Sequence, residues 1–319
     1  MSLGSIISSD RGERAELSII KDLEKAMVRR PPDNRARGWH PSQLMEMCPR
    51  YEVLRQLVTK DGKKIEDVGI DIRTQMIFDV GTALHEWWQE KYFGPMGVLK
   101  GKWRCARCGF KTDGMETMPK YPHNCDVGPK IGGTPALIDH NPKDKIKVGH
   151  NRTWKFDEVR VESKKWGIVG HSDGIYILGM GSLCEEDVVL DIKTAGPTFW
   201  NGGGRPYPSN IFQINLYMWL LGLKKGILLY VDKGGVDKSL SAMCKEVVVP
   251  YNDSHRKDAC MKIDAYRHAV AVKTLPPRMV TCELRPNSGK AKGCPLKSAC
   301  LSDKTACAVE KEWGTVESL

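Results

Sequence analysis

Apolar positions follow two different periods along this chain, and the change comes near Trp154. Before that point the spacing is helical. Leu17, Ile20, Leu23, Ala26 and Met27 recur three to four residues apart among charges, which predicts an amphipathic helix over 13–29. The stretch RRPPDNRARG (29–38) then breaks the chain, so 1–39 reads as an N-terminal helical extension. A second helix is expected after Pro41, with Ser42 as its N-cap. A third is expected from about Ile70 to Phe93, carrying Val80, Leu84, Trp87 and Trp88. Residues 103–150 lose periodicity and are rich in Gly, Pro, Lys and Cys, which reads as a loop-built insertion.

After Trp154 the pattern is that of short strands between turn signals. VRVES (159–163), GIVGHSDGIYIL (167–178) and DVVLDIKT (187–194) come first, then a loop with Gly202, Gly203 and Gly204. A mostly apolar helix follows at 209–223, strands at 226–232 and 245–250, and a helix at about 253–273. The expected class is α/β. The expected division is 1–39, a helical part at 40–102, the insertion at 103–150, a core at 151–274 and a cysteine-bearing tail at 275–319.

Composition narrows this further. A chain of 319 residues buries enough surface to fold without disulfides. Its 41% hydrophobic and 28% charged residues describe a soluble globular protein. No run of about 18 apolar residues points to a membrane span, and Met1–Asp10 lacks a signal pattern, so the expected location is cytoplasmic. An odd count of 11 cysteines favours metal sites or thiols over a disulfide framework. The formal charge of +10 is compatible with a polyanionic partner and equally with a solvated surface.

The chemistry concentrates at Asp191-Ile192-Lys193, the end of an apolar strand. Residues two apart on a strand share a face, so Asp191 and Lys193 project together while Ile192 turns into the core. A hairpin would bring Asp173 beside Asp191, and two converging carboxylates call for a cation. Mg²⁺ takes carboxylate and carbonyl oxygens and keeps several waters. A bare D-x-K is also a common surface ion pair; here the continuous apolar run before it argues for a buried central strand. Glu162 and Asp187 read as bystanders.

Four motifs occur in order: Gly81-x-x-x-His85, Gly170-His171-Ser172-Asp173-Gly174, Asp191-Ile192-Lys193 and Gln213-x-x-x-Tyr217. Together they resemble the RecB-like nucleases of the PD-(D/E)XK superfamily. The resemblance implies a restriction-endonuclease-like core, a central mixed sheet flanked by helices. It implies that His85, Asp173, Asp191 and the Ile192 carbonyl bind Mg²⁺ or Mn²⁺. It implies a catalytic role for Lys193, and that Gln213 and Tyr217 contact substrate or order the site. The third motif carries Asp where many relatives carry Glu.

The cysteines form two groups. Cys105 and Cys108 make a C-x-x-C knuckle, and His123 and Cys125 complete a Cys₃His set for structural Zn²⁺. Surface thiols are the alternative. Cys282, Cys294, Cys300 and Cys307 lie near the C-terminus, with Cys48 upstream in Cys48-Pro49-Arg50. This arrangement is similar to that of the iron–sulfur members of the family, which include the AddB nuclease domain and the CRISPR adaptation nucleases. It implies Cys48, Cys282, Cys294 and Cys300 as ligands of a [4Fe–4S] cluster. Eleven residues separate Cys282 from Cys294, where relatives commonly have a short C-x₂-C, so Cys307 and Zn²⁺ stay open there.

The basic tail segment contains Arg285, Lys290 and Lys292, a phosphate-contacting surface or a solvated loop. Phe199, Trp200 and Tyr207 lie in a Gly-rich loop suited to stacking bases of a single strand. The function expected is a metal-dependent DNA exonuclease acting on single-stranded ends, of phage or mobile-element type. It would hydrolyse phosphodiesters by metal-activated water in recombination, repair or replication, alongside recombination or replication proteins. The alternative is a non-catalytic DNA-end-binding scaffold of a recombination or CRISPR-adaptation complex. No Walker A sequence is present, so a fused helicase is not expected.

Overall fold

The computed structural model describes residues 27–28, 38–60, 70–106, 108–119, 154–233, 239–279, 282, 294 and 296–301. Residues 27–28 and 70–83 belong to one compact unit and the rest to a second. In the first unit, β1 (Met27–Val28) pairs antiparallel with β2 (Ile70–Asp71), and a helix starts at Ile72. Met27 and Val28 are therefore strand, where helical spacing predicts the end of the 13–29 helix; the rest of that segment lies outside the described residues.

The second unit begins with two helices, α1 (Pro41–Leu44) and α2 (Pro49–Lys60). Pro41 occupies the first helical position of α1, and His40 is the N-cap rather than Ser42. Proline suits that position because its fixed φ is already helical and its missing N–H would be unpaired anyway. The helix from Ile72 runs to Trp88 as α3 and continues as a π-helical turn over Gln89–Phe93. That turn replaces the simple helix end expected at Phe93.

A seven-stranded mixed sheet forms the centre. Its strands are β3 (Leu99–Cys105), β4 (Glu116–Thr117), β5 (Trp154–Asp157), β8 (Gly174–Leu178), β9 (Glu186–Ala195), β10 (Lys225–Asp232) and β11 (Cys244–Pro250). The order is β11-β10-β9-β8-β3-β4, with β5 paired to β3. Only β9 and β10 run parallel; the other neighbours are antiparallel. β6 (Val159–Ser163) and β7 (Ile168–Ser172) form a separate antiparallel ribbon. Between strands lie α4 (Pro197–Asn201), α5 (Pro208–Leu221) and α6 (Leu240–Met243), and α7 (Asp253–Ala271) and α8 (Lys297–Leu301) follow β11.

β3 crosses the point where the sequence suggests an insertion. Leu99, Gly101, Trp103 and Cys105 are all buried, with polar residues between them. This is a core strand with period-two patterning, obscured because Lys100, Lys102 and Arg104 are long and basic. The 167–178 segment is split at Asp173 into β7 and β8, and the 196–207 loop contains a short helix.

The period of two divides β9 between two cores. Leu190 and Ile192 pack with Trp88, Phe93, Leu99 and Trp103 on one face. Val189 and Ala195 pack with Ile214, Tyr217 and Met218 of α5 on the other. Asp191 and Lys193 share the α5 face, since residues two apart point the same way. α5 ends at Gly222, whose φ of 72° supplies the left-handed C-cap. No helix among the described residues is long and apolar enough to cross a membrane.

Candidate active site

The site lies where β7, β8 and β9 meet the end of α3. β7 ends at Ser172 and β8 begins at Gly174, so Asp173 belongs to neither ladder. Gly174 pairs with Leu190, which sets Asp173 next to Asp191 on the neighbouring strand. The turn between the strands depends on glycine. Gly174 has φ +145°, and a Cβ there would stand 2.4 Å from Leu99 Cδ1. Gly170 also makes room, since a Cβ would meet Pro41 at 2.9 Å and the Tyr217 ring at 3.3 Å.

Both carboxylates are buried, at 5% exposure for Asp173 and 2% for Asp191. Asp173 is held at several atoms. Its Oδ1 lies 3.3 Å from His85 Nδ1, and its Oδ2 accepts the Ile192 backbone N–H at 2.6 Å. Its carbonyl oxygen accepts from Gln89 Nε2 at 2.8 Å. Asp191 faces Lys193, whose Nζ donates to Oδ1 at 3.0 Å. Asp191 Oδ2 is 2.9 Å from the same Nζ but off line for a hydrogen bond, so it accepts none. Lys193 Nζ also donates to Gln213 Oε1 at 3.2 Å, and Gln213 Nε2 donates to the Tyr217 hydroxyl at 2.8 Å. Gln213 and Tyr217 thus order Lys193 through a chain of contacts from one helix face.

The electrostatics separate the two acids. Burial alone would raise Asp173, but His85, Lys193 and the Ile192 N–H hold it below its ordinary range. Burial raises Asp191, and the negative charge of Asp173 adds to that against the pull of Lys193. For Lys193, burial is outweighed by Asp191 and Asp173, so its pKa rises and the ammonium stays charged. Asp173 likewise outweighs burial at His85 and raises it. Burial, then Asp191, pushes Tyr217 well above the usual phenol range, so it remains a neutral hydroxyl.

Glu158 completes the arrangement. One ligand atom each from His85, Glu158 and Asp173 lie within 4.8 Å of one another. Desolvation, then the charges of Asp173 and Asp191, push Glu158 up to about 7 even though part of it remains open to solvent. Sequence reasoning does not single it out; the acids named near these strands, Glu162 and Asp187, read as bystanders. Asp157 ends β5, Glu158 stands between β5 and β6, and Glu162 lies within β6. In the structure Asp157 pairs with Arg104 and Lys111, and Glu162 with Arg160, which leaves Glu158 for the site. Ile192 supplies a backbone N–H to Asp173 and buries its side chain.

Elsewhere the expected groups assemble in part. Cys48, Cys282, Cys294 and Cys300 line one cavity of about 510 Å³ with Tyr51, Glu52 and Leu296. Burial raises the Cys48 thiol, and Cys300 and Cys282 contribute through their charge. Arg50 of α2 is tied to the segment after α7 near this cavity, donating to the Pro276 carbonyl at 2.8 Å. Cys105 is fully buried and Cys108 half-buried, with the Gly109 N–H donating to the Cys105 carbonyl at 3.0 Å. His123, Cys125, Cys307, Arg285, Lys290 and Lys292 lie outside the described residues.

The aromatic loop differs from expectation. Phe199 is buried and stacks on Tyr230 at 4.2 Å between centroids, so it belongs to the core. Trp200 is half-buried, and its indole N–H is enclosed without a partner among the described residues. Tyr207 remains exposed, while its backbone N–H donates to the Tyr230 hydroxyl.

No protein-family model and no curated protein matches the chain. Among solved structures it is similar to the alkaline exonuclease LHK-Exo from Laribacter hongkongensis. That likeness has 12% identity and a TM-score of 0.39, over 74% of this chain and 88% of that one. The same protein in complex with dAMP gives 11% identity and the same score and coverage. A phage related exonuclease from Haemophilus somnus 129PT gives 13% identity and a TM-score of 0.24, over 34% of this chain and 56% of that one. At such distances function has to be argued from the site's own residues.

Proposed function

We propose that the chain is a divalent-metal-dependent deoxyribonuclease, acting as an exonuclease on single-stranded DNA ends. The observation that carries this reading is the convergence of His85, Glu158 and Asp173 within 4.8 Å, with the Asp191–Lys193 pair beside them. Three carboxylates and one imidazole, with Asp173 and Asp191 buried, favour a cation, because like charges repel there. The buried Asp191 Oδ2 that accepts no hydrogen bond fits the same need. Oxygen donors with one imidazole suit Mg²⁺ or Mn²⁺. His85, Glu158, Asp173 and Asp191 would hold the ion, which supplies water activation and neutralises phosphate charge.

The chain's own residues do the rest. Lys193 stays protonated, so it serves as a fixed cation for charge developing on phosphate rather than as a base. Gln213 and Tyr217 hold it in line with Asp191. Asp173 is kept ionised and immobile by His85 and the Ile192 N–H. Exposed Tyr207 and partly exposed Trp200 offer stacking surfaces for unpaired bases.

Two further metal groups belong to the proposal. Cys48, Cys282, Cys294 and Cys300 would ligate a [4Fe–4S] cluster that staples the two ends of the core. Cys105 and Cys108, with His123 and Cys125, would hold Zn²⁺.

The test uses anaerobically purified protein with end-labelled linear, single-stranded and circular DNA, in Mn²⁺, Mg²⁺ or EDTA. Release of labelled mononucleotides from free ends, with circles resistant, is expected. Failure to cut any DNA form with metal bound would overturn the reading. Lys193→Ala should keep DNA binding and lose cleavage; if wild-type protein binds ends and never cuts, a scaffold role replaces the enzyme.

A further inference from the structure

We infer that Gln89 is a positioning residue that fixes Asp173 for cation binding; the inference rests on the nuclease reading above. Gln89 is 3% exposed. A buried amide is costly unless its hydrogen bonds are made. Its Nε2 donates to the Asp173 carbonyl at 2.8 Å, across 84 positions of sequence. Gln89 stands four residues after His85, so the two side chains leave the same helix face. His85 reaches the Asp173 carboxylate while Gln89 reaches its backbone oxygen. One face therefore grips both ends of the same acid.

The grip matters because nothing regular fixes that peptide. Asp173 lies between β7 and β8, and Gly174 beyond it takes φ +145°. His85 and the Ile192 N–H hold the carboxylate end of Asp173, and without Gln89 the peptide behind it can rotate and loosen that hold. The backbone of Gln89 is itself anchored. The Gly94 N–H donates to the Gln89 carbonyl at 2.8 Å, closing the π-helical turn. Glu90 accepts the Phe156 backbone N–H at 3.3 Å, which ties the same turn to β5. Trp88 and Phe93, five residues apart, stack at 5.4 Å because of the wider turn. Such turns concentrate at functional sites.

Partners behind metal ligands commonly change metal affinity by 10–100-fold when removed. The experiment compares full-length wild type with Gln89→Met, which keeps length and loses the donor, and Gln89→Glu, which keeps shape. Asn215→Leu is the control, since Asn215 is an equally buried amide that accepts the Asn252 N–H at 2.6 Å on α5. Free Mn²⁺ is measured by its EPR signal during titration. Both Gln89 variants should bind Mn²⁺ 10–100-fold more weakly, and saturating Mn²⁺ should restore cleavage, moving the metal requirement rather than kcat. Asn215→Leu should lower the thermal midpoint and leave Mn²⁺ affinity alone. Wild-type Mn²⁺ affinity in Gln89→Met, or in Gln89→Glu should the first not fold, overturns the inference. The ¹⁵N shift of the His85 imidazole in EDTA reads the same contact without any metal. If wild type neither binds Mn²⁺ nor cuts DNA, the nuclease reading fails by itself. An unchanged His85 shift in the variants then refutes the positioning role, and a changed one upholds it.

Discussion

The Ile192 backbone N–H donates to Asp173 Oδ2 at 2.6 Å, so the peptide that follows Asp191 pins the acid between β7 and β8. The two acids cannot move independently, and they cannot be equally comfortable as anions. Asp173 has His85 and this N–H, whereas Asp191 has Lys193 and one oxygen without a hydrogen bond.

That asymmetry predicts the effect of Asp191→Asn. Neutralising the more strained, buried carboxylate removes repulsion with Asp173 and a desolvation cost. Lys193 keeps Gln213 as a hydrogen-bond partner and the charge of Asp173 nearby. The metal-free variant should melt about 2–4 °C higher, equivalent to ~1 kcal/mol in a domain of this size, while cleavage is lost. Differential scanning calorimetry in EDTA beside a DNA digestion assay checks both. A lower melting temperature would contradict the account of Asp191 as a strained anion.

Gly174→Ala should damage stability and metal uptake together. The new methyl would stand 2.4 Å from Leu99 Cδ1, in the sheet core, at a φ that L-residues rarely adopt. Strain and overpacking of this kind cost about 1–3 kcal/mol. Because the neighbouring residue is Asp173, Mn²⁺ affinity should fall as well. Urea denaturation paired with Mn²⁺ titration reads the two effects; unchanged affinity in a destabilised variant would mean that the turn does not set the acid's position.

What the sequence made legible follows from periodicity. The apolar run before Asp191 and the i, i+4 pair Gln213 and Tyr217 both sit where the alternation and helical spacing put them. Other features depended on tertiary contacts that no local pattern encodes. Glu158 and Glu162 look alike in sequence, and tertiary contacts distinguish them: Glu162 pairs with Arg160, whereas Glu158 stands with His85 and Asp173. Cys105 reads as part of a loop, whereas it closes β3 and pairs with Trp154 of β5. Phe199 reads as a base-stacking residue in a glycine-rich loop, and its burial arises from Tyr230 on β10. Gln89 gives no signal beyond its distance from His85.

Glu158 predicts a pH dependence. Its folded pKa is raised from 4.5 to about 7. The sign follows from linkage: stability from this group is fully present below about pH 4.5 and is lost as pH rises through about 7. His85, raised above 6.5 mainly by Asp173 against burial, acts in the same direction at the upper edge of that window. Metal-free protein should therefore lose thermal stability from pH 5 to 8, as far as these groups contribute. Mn²⁺ favours the ionised carboxylate and the neutral imidazole, so it should stabilise more at pH 8 than at pH 5. Glu158→Gln should flatten the slope in EDTA and weaken Mn²⁺ binding. The same slope in wild type and variant would remove Glu158 from the site.

The cysteine cavity predicts which thiols matter for cofactor content. Cys48, Cys282, Cys294 and Cys300 share the cavity, whereas Cys260 lies on α7, away from it. Cys48→Ser should lower iron bound per chain after anaerobic purification and remove the broad visible absorption of a cluster. Cys260→Ser should change neither. Loss of Cys48 should also loosen the segment after α7, because Arg50 next to Cys48 holds the Pro276 carbonyl. Limited proteolysis should then cut more readily between residue 276 and residue 301, with the β9–α5 region still protected. Zinc in place of iron in wild-type protein would assign the cavity to a different ion. Equal iron in Cys48→Ser would show that Cys48 is no ligand, and would sever the proposed staple between α2 and the C-terminal segment.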